Sequence, residues 1–181
     1  MKAHGDRDEL LRVIREKAVI RGDFTLSSGQ RSGWYIDLRR VLLDGRFAPL
    51  AGRVMLQATA DLRYEAVGGL TMGADPVAAA MMHAAASQGR MLDAFVVRKD
   101  GKAHGLQRRI EGPGVAGRRV LAVEDTSTTG SSVLTAVDAL REAGAEVVGV
   151  AVVVERGARR RVTERGLPYR AAYEQADLGV G

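Results

Sequence analysis

The chain has 181 residues, enough for one domain with a substantial core, and its 27 basic against 22 acidic side chains give a net charge of +5 and an isoelectric point near 10.0. That balance suits nucleic acid and a polyanionic small substrate equally, so charge does not choose between them. The absence of Cys excludes disulfides and thiolate zinc sites, and the longest apolar run, Val147 to Val154, is far short of the ~20 residues needed to cross a bilayer; a soluble, cytoplasmic chain is expected.

In chain order, His4 is expected in a disordered polar tail, and Asp6 to Val19 predicts an amphipathic helix with Leu10, Leu11, Val13, Ile14 and Val19 on its apolar side. Phe24-Thr-Leu26 and Trp34 to Leu38 read as short strands of a hairpin joined by the turn-rich Ser27 to Gly33. A helix follows Arg46 and runs to about Leu62. A regular order then sets in: strand Ala66 to Leu70, helix from Pro76 to about Ser87 with Asp75 as its cap, strand Leu92 to Val97, strand Arg118 to Val123, helix Ser131 to Ala143, strand Val147 to Val154. A short helix with Arg159, Arg160 and Arg161 and an edge strand near Tyr169 to Tyr173 complete the chain. Strands that alternate with helices and are continuously apolar predict an α/β fold, a parallel sheet flanked by helices on both faces. Ligands bind such sheets at the carboxyl ends of the strands, here the loops Thr71 to Asp75, Arg98 to Gly117 and Glu124 to Gly130.

The segment Val120-Leu-Ala-Val-Glu-Asp-Thr-Ser-Thr-Thr-Gly-Ser-Ser-Val133 is the most informative. It places two adjacent carboxylates, then hydroxyls and a glycine, between a strand and a helix. The N–H groups and positive dipole end of that helix suit a phosphate, and Thr128, Thr129, Ser131 and Ser132 add hydroxyl donors. Glu124 and Asp125 would repel a phosphate; they suit hydrogen bonds from ribose hydroxyls, or a magnesium ion held between themselves and the ligand. A Walker loop and a dinucleotide loop are both excluded, since neither glycine pattern occurs.

Four apolar residues, two acids and a Thr-Gly-rich turn resemble the 5-phosphoribosyl-1-pyrophosphate (PRPP) motif of the type I phosphoribosyltransferases. A second segment narrows the resemblance. Arg98-Lys-Asp-Gly-Lys-Ala-His-Gly105 opens a basic, glycine-hinged stretch to Gly112 with scarcely an apolar residue to anchor it, a composition that fits a mobile lid. Its Arg-Lys-x-x-Lys-x-His-Gly pattern resembles the catalytic loop of the orotate phosphoribosyltransferase family, as Phe24 to Asp37 resembles that family's N-terminal hood and Val153-Val-Glu-Arg156 the strand end that binds the orotate carboxylate.

The resemblance implies a single phosphoribosyltransferase domain over residues 1–181, with a hood from about 1–45 plus the C-terminal segment and a Rossmann-like core over about 46–156. It implies transfer of ribose 5-phosphate from PRPP to orotate with Mg2+ as cofactor, with neither nucleic acid nor membrane as partner. Catalytic roles fall on Asp125, Glu124, Lys102 and His104. PRPP contacts fall on Arg98, Lys99, Lys102, His104, Glu124, Asp125, Thr126, Ser127, Thr128, Thr129, Gly130, Ser131 and Ser132, and orotate contacts on Thr128 and Arg156. Asp125 is the one candidate metal ligand. The family pattern further implies a homodimer in which the Arg98–Gly112 loop of one subunit acts over the acid pair of the other. Two positions depart from it: Ser27 and the Thr71-Met-Gly-Ala-Asp75 loop stand where many relatives carry Lys. Trp34 and Tyr35 suit either base stacking or hood packing, and His83 is expected to be a half-buried helix residue. A phosphoribosyltransferase for a purine, and a regulatory PRPP-fold protein that binds nucleic acid, are the alternatives.

Overall fold

The structure, a computed structural model, describes residues 3–25, 31–99 and 109–180. Helix α1 (Ala3–Val13) continues through a π-helical turn (Ile14–Ala18) into the antiparallel hairpin of β1 (Val19–Thr25) and β2 (Arg31–Ile36). The helix already covers His4, which is therefore not in an unstructured tail. A short α2 (Arg39–Leu42), not foreseen from the sequence, turns the chain into α3 (Ala48–Ala58). The remaining elements are β3 (Ala66–Leu70), α4 (Ala74–Ala86), β4 (Asp93–Val97), β5 (Ile110–Glu111), β6 (Arg119–Ser127), α5 (Ser131–Glu142), β7 (Glu146–Glu155), α6 (Arg159–Thr163) and β8 (Tyr169–Glu174).

Six strands form one sheet in the order β5-β4-β3-β6-β7-β8, parallel except for the antiparallel edge pair β4–β5. The pleat explains why its strands are apolar throughout. Leu121, Val123, Ala151 and Val153 point into a core shared with α1, α3 and α4, whereas Val120, Ala122, Val150 and Val152 point into a second core closed by α5. The α/β parallel sheet flanked by helices is thus as expected.

The first helix gives way to β1 at Val19, where the sequence predicts helix, and α3 ends at Ala58 and not near Leu62; three further differences bear on the site. Helix α4 starts at Ala74 with Gly73 in the cap position, so Asp75 lies in the first turn instead of capping, and Pro76 is the third helical residue. Asp75 instead accepts a hydrogen bond from Thr71 Oγ1 at 2.7 Å. Strand β6 continues to Ser127, paired with β7 as far as Ser127 opposite Glu155, so the two acids belong to a strand and not a loop; the polar composition that suggests a loop is overridden by a ladder partner that is apolar and buried. Finally, the basic stretch after β4 is anchored at its far end, because Ile110 and Glu111 pair with Val97 and Val96 and Arg98 N–H donates to Arg109 O at 2.7 Å.

From β3 the chain crosses to β4 on one side, and from β6 to β7 on the other. Neighbouring β3 and β6 therefore flank a topological switch point, with a crevice at their carboxyl ends. The hairpin β1–β2 forms a separate sheet beside it. The N-terminal helix is tied to the C-terminal segment: Arg7 donates to Ala172 O through Nε at 3.2 Å and Nη2 at 3.0 Å, and Tyr173 Oη donates to Arg7 O at 2.7 Å.

Candidate active site

The crevice holds two cavities, of about 1060 and 680 Å3, that meet at Thr126 and Ser132. The larger lies over the ends of β3, β4 and β6, between the Thr71–Gly73 turn, Arg98, Lys99, Arg39 and the acid pair Glu124 and Asp125. The smaller is enclosed by Thr126 to Ser132, the hairpin residues Phe24, Thr25 and Tyr35, and Arg156.

Glu124 is buried and Asp125 partly so. Their hydrogen bonds are local: Asp125 N–H donates to Glu124 Oε1 at 3.2 Å, and Thr126 N–H to Asp125 Oδ1 at 2.6 Å. Burial, and then the charge of Asp125, push the Glu124 carboxyl up to about 8. Asp125 is also raised, again chiefly by burial, with Arg39 among the groups that offset it. Gly73 makes this arrangement possible, since a Cβ there would lie 2.3 Å from Glu124 Oε1 and 2.9 Å from Asp125 Oδ1. Nearby, Asp75 Oδ1 is buried with no hydrogen-bond partner among the described residues.

These features fit a divalent cation held partly by other ligands. Two desolvated carboxylates attract positive charge, yet among the described residues no three acid or imidazole side chains form a complete metal site. Magnesium is commonly bound by one or two carboxylates together with water and substrate oxygens.

The phosphate-type loop is built as the sequence implies. Gly130 has φ 76°, a left-handed conformation costly for other residues, and leads directly into α5. Thr128, Thr129, Ser131 and Ser132 are exposed to the cavity, while Ser127 and Gly130 are buried beneath them. Thr129 Oγ1 accepts from Ser131 N–H at 3.3 Å and donates to Ser131 Oγ at 3.0 Å.

Arg156 follows β7, and its N–H donates to Ser127 O at 3.0 Å, which ties it to the acid-bearing strand. Its guanidinium lies 4.6 Å from the centre of the Trp34 ring, Nε is buried without a partner among the described residues, and burial lowers its pKa. Trp34 thus packs under the arginine while Tyr35 faces the cavity. Behind them, buried Glu155 accepts from Gly157 N–H at 2.7 Å and Arg159 N–H at 3.1 Å through Oε1, and from Tyr169 Oη through Oε2. This shapes the turn that carries Arg156. The Tyr169 hydroxyl is held well above its usual range by burial and by Glu155.

The structure therefore brings together Arg98, Lys99, Glu124 to Ser132 and Arg156. Lys102, His104 and Ser27 lie outside the described residues. His83 is exposed on α4, not half-buried. The sequence reading missed Arg39, Glu155 and Tyr169, and it singled out Gly73 for its backbone N–H groups and not for its approach to the acid pair. The close approach at Gly73 has no sequence signature, but Arg39, two residues beyond Asp37 at the end of the hood strand, stands in a legible place.

The phosphoribosyl transferase domain family matches residues 63–169. An orotate phosphoribosyltransferase of Streptomyces avermitilis is 64% identical over 177 residues, covering 96% of this chain and 97% of its own length. The chain belongs to the orotate phosphoribosyltransferase family. Of solved members, the orotate phosphoribosyltransferase of Mycobacterium tuberculosis in complex with Fe(III) dicitrate has a TM-score of 0.88 at 55% identity, covering 97% of this chain and 99% of that one. The same enzyme in complex with PRPP has a TM-score of 0.84 at 52% identity, with the same coverage. Departures such as Met72 are thus variations within the orotate phosphoribosyltransferase family and do not mark a different one.

Proposed function

We infer that the chain transfers ribose 5-phosphate from PRPP to N1 of orotate, releasing pyrophosphate and giving orotidine 5′-monophosphate, in UMP synthesis. The observation that carries this is the acid pair in the larger of two cavities that meet at the adjoining Thr126, the larger with basic side chains at its rim and the smaller holding Arg156. The exposed hydroxyls and N–H groups from Thr126 to Ser132 fix the 5-phosphate at the start of α5. Glu124 and Asp125 accept hydrogen bonds from the ribose hydroxyls and favour the positive charge that develops on the ring in an oxocarbenium-like transition state. Arg98, Lys99, Lys102 and His104 neutralise the departing pyrophosphate, with Lys102 or His104 as its proton donor. Arg156 and Thr128 receive orotate. The guanidinium of Arg156, on the wall of the smaller cavity, suits a carboxylate, which orotate has and a purine lacks.

Magnesium, when bound, supplies charge neutralisation on PRPP, and Asp125, with Glu124 beside it, would hold it through ribose oxygens and water. Orotate N1 is already acidic, so no strong general base is required. We read the chain as one cytoplasmic phosphoribosyltransferase domain that works as a homodimer, with the Arg98–Gly112 loop completing the partner's site. The decisive test follows orotate consumption by ultraviolet absorbance with PRPP and magnesium, with adenine and hypoxanthine as rival acceptors. Turnover of a purine in place of orotate would overturn the assignment.

A further inference from the structure

We propose that Arg39 is a fixed cation of the pyrophosphate subsite, a direct contact to the leaving group supplied by the hood side of the cleft; this rests on the phosphoribosyl-transfer reading above. The larger cavity has an unusual charge inventory. The Thr71–Gly73 turn at its base presents no cation, and the residue at its centre, Met72, is 66% exposed. Three carboxylates line the same space, Glu111, Glu124 and Asp125. Against them stand three cations among the described lining residues: Arg98, Lys99 and Arg39. Arg98 is already engaged by Glu111 at 3.4 Å. A pyrophosphate carries several negative charges, and bringing it to a wall with this balance requires every remaining cation.

Arg39 is placed to serve. It opens α2, just beyond the strand that delivers Tyr35 to the smaller cavity, so one segment supplies a side chain to each half of the crevice. Its Nε donates to Asp37 Oδ1 at 2.8 Å, which sets the direction of the side chain while using one of the five N–H donors of a guanidinium. The side chain is 43% exposed, and its charge is felt at Asp125. Its neighbour makes the contrast. Arg40 donates to Lys17 O at 3.3 Å on the π-helical turn and takes no part in the cavity lining. Arg39 thus replaces by a side chain from across the cleft the charge that Met72 does not provide, and its planar fork suits paired phosphate oxygens better than a flexible ammonium would.

The test is calorimetric titration of inorganic pyrophosphate with magnesium, and separately of ribose 5-phosphate, into the wild-type protein, Arg39→Gln and Asp37→Asn. Arg39→Gln should weaken pyrophosphate tenfold or more and leave ribose 5-phosphate within twofold. Asp37→Asn removes the ion pair but keeps the cation, and should leave pyrophosphate within threefold. Pyrophosphate binding within twofold of wild type in Arg39→Gln would overturn the assignment, as would a parallel loss of ribose 5-phosphate or an Asp37→Asn effect as large as that of Arg39→Gln, since either marks a structural role. Arg39→Met, which keeps the apolar stem, takes the place of Arg39→Gln if that variant does not fold. A wild-type protein that binds neither probe and turns over no orotate would sink the phosphoribosyl-transfer reading itself, and this proposal with it.

Discussion

Gly73→Ala separates the acid pair's geometry from its chemistry. The backbone at Gly73 has φ −66° and ψ −39°, which any residue adopts, so the substitution brings no backbone strain. Its whole effect is steric. The new Cβ would lie 2.3 Å from Glu124 Oε1, and reaching ordinary contact at 3.4 Å displaces that oxygen by 3.4 − 2.3 = 1.1 Å. Asp125 Oδ1, at 2.9 Å, must also give. Both are terminal oxygens that can rotate, so the cost to folding should fall at the low end of the ~1–3 kcal/mol typical of overpacking. For a chain of this length that is a drop of roughly 2–4 °C in Tm. Catalysis is less forgiving, because a misplacement of ~1 Å in a positioned group costs on the order of 100-fold in rate. We expect kcat to fall by about 100-fold, or ~2.7 kcal/mol, with orotate KM little changed. Thermal denaturation and the orotate assay on the same preparation give both numbers. A kcat/KM within threefold of wild type would show that the acids need no fixed position, and a Tm loss above ~10 °C would show that the turn supports the fold more than the chemistry.

Four further outcomes follow from the geometry. Because burial raises Glu124 from 4.5 to about 8, its contribution to stability is full below pH 4.5 and is lost as pH rises through 8. Glu124→Gln should therefore gain stability relative to wild type by on the order of a few kcal/mol between pH 5 and pH 9 in urea denaturation, and a pH-independent difference would refute the buried-acid account. Arg156→Ala should raise orotate KM by more than ~30-fold, as expected for a lost charge-assisted pair, and leave PRPP KM within threefold; equal losses would reduce Arg156 to a packing partner of Trp34. Tyr169→Phe deprives buried Glu155 of a donor, at ~1–3 kcal/mol of stability, and should raise orotate KM more than PRPP KM because the affected turn carries Arg156; an unchanged ratio would dissociate the two. Mixing Lys102→Ala with Asp125→Asn, each inactive alone, should restore about one quarter of wild-type activity if subunits reassort at random into dimers with shared sites, whereas a dead mixture after demonstrated exchange would place the loop in its own subunit's site.

What the sequence revealed, and what it hid, divides along physical lines. The core strands and α5 were legible because apolar continuity and helical periodicity are written in consecutive residues. The acids at Glu124 and Asp125 were legible as chemistry but not as strand, because the ladder to β7 that extends them is set by residues about thirty positions away. Strand β5 was invisible for the same reason: two residues acquire their conformation only from Val96 and Val97. Asp75 was misread as a cap because Asp-Pro is a strong local signal, whereas the helix begins two residues earlier than expected, at Ala74, and turns the Asp75 carboxyl toward Thr71. The Glu155–Tyr169 pair joins neighbouring strands β7 and β8 and leaves no local trace.

The strand order also supports the proposed placement of the reactants. In a parallel sheet every strand delivers its last residues to the same edge, so groups about thirty residues apart in sequence become lateral neighbours. Reading along that edge, β4 is followed by Arg98, β3 by the Thr71 turn, β6 carries Glu124 and Asp125, and β7 is followed by Arg156. Three strand spacings separate the first from the last, roughly 14 Å at ~4.8 Å each. In the proposed reading, a leaving group drawn toward Arg98 and Lys99 and a base drawn toward Arg156 therefore approach from opposite flanks of a ribose held over β3 and β6. Displacement at a single carbon requires that disposition. The switch point supplies it, because the chain leaves β3 and β6 in opposite directions and so leaves the edge between them open to the sugar. The hairpin lines the smaller cavity with Tyr35, and the start of α2 lines the larger with Arg39. Among the described residues Arg156 is the one arginine that lines the smaller cavity, whereas Arg161 of α6 is engaged by Thr129 O and Ser131 Oγ of the phosphate-type loop, which is why we assign the base to Arg156.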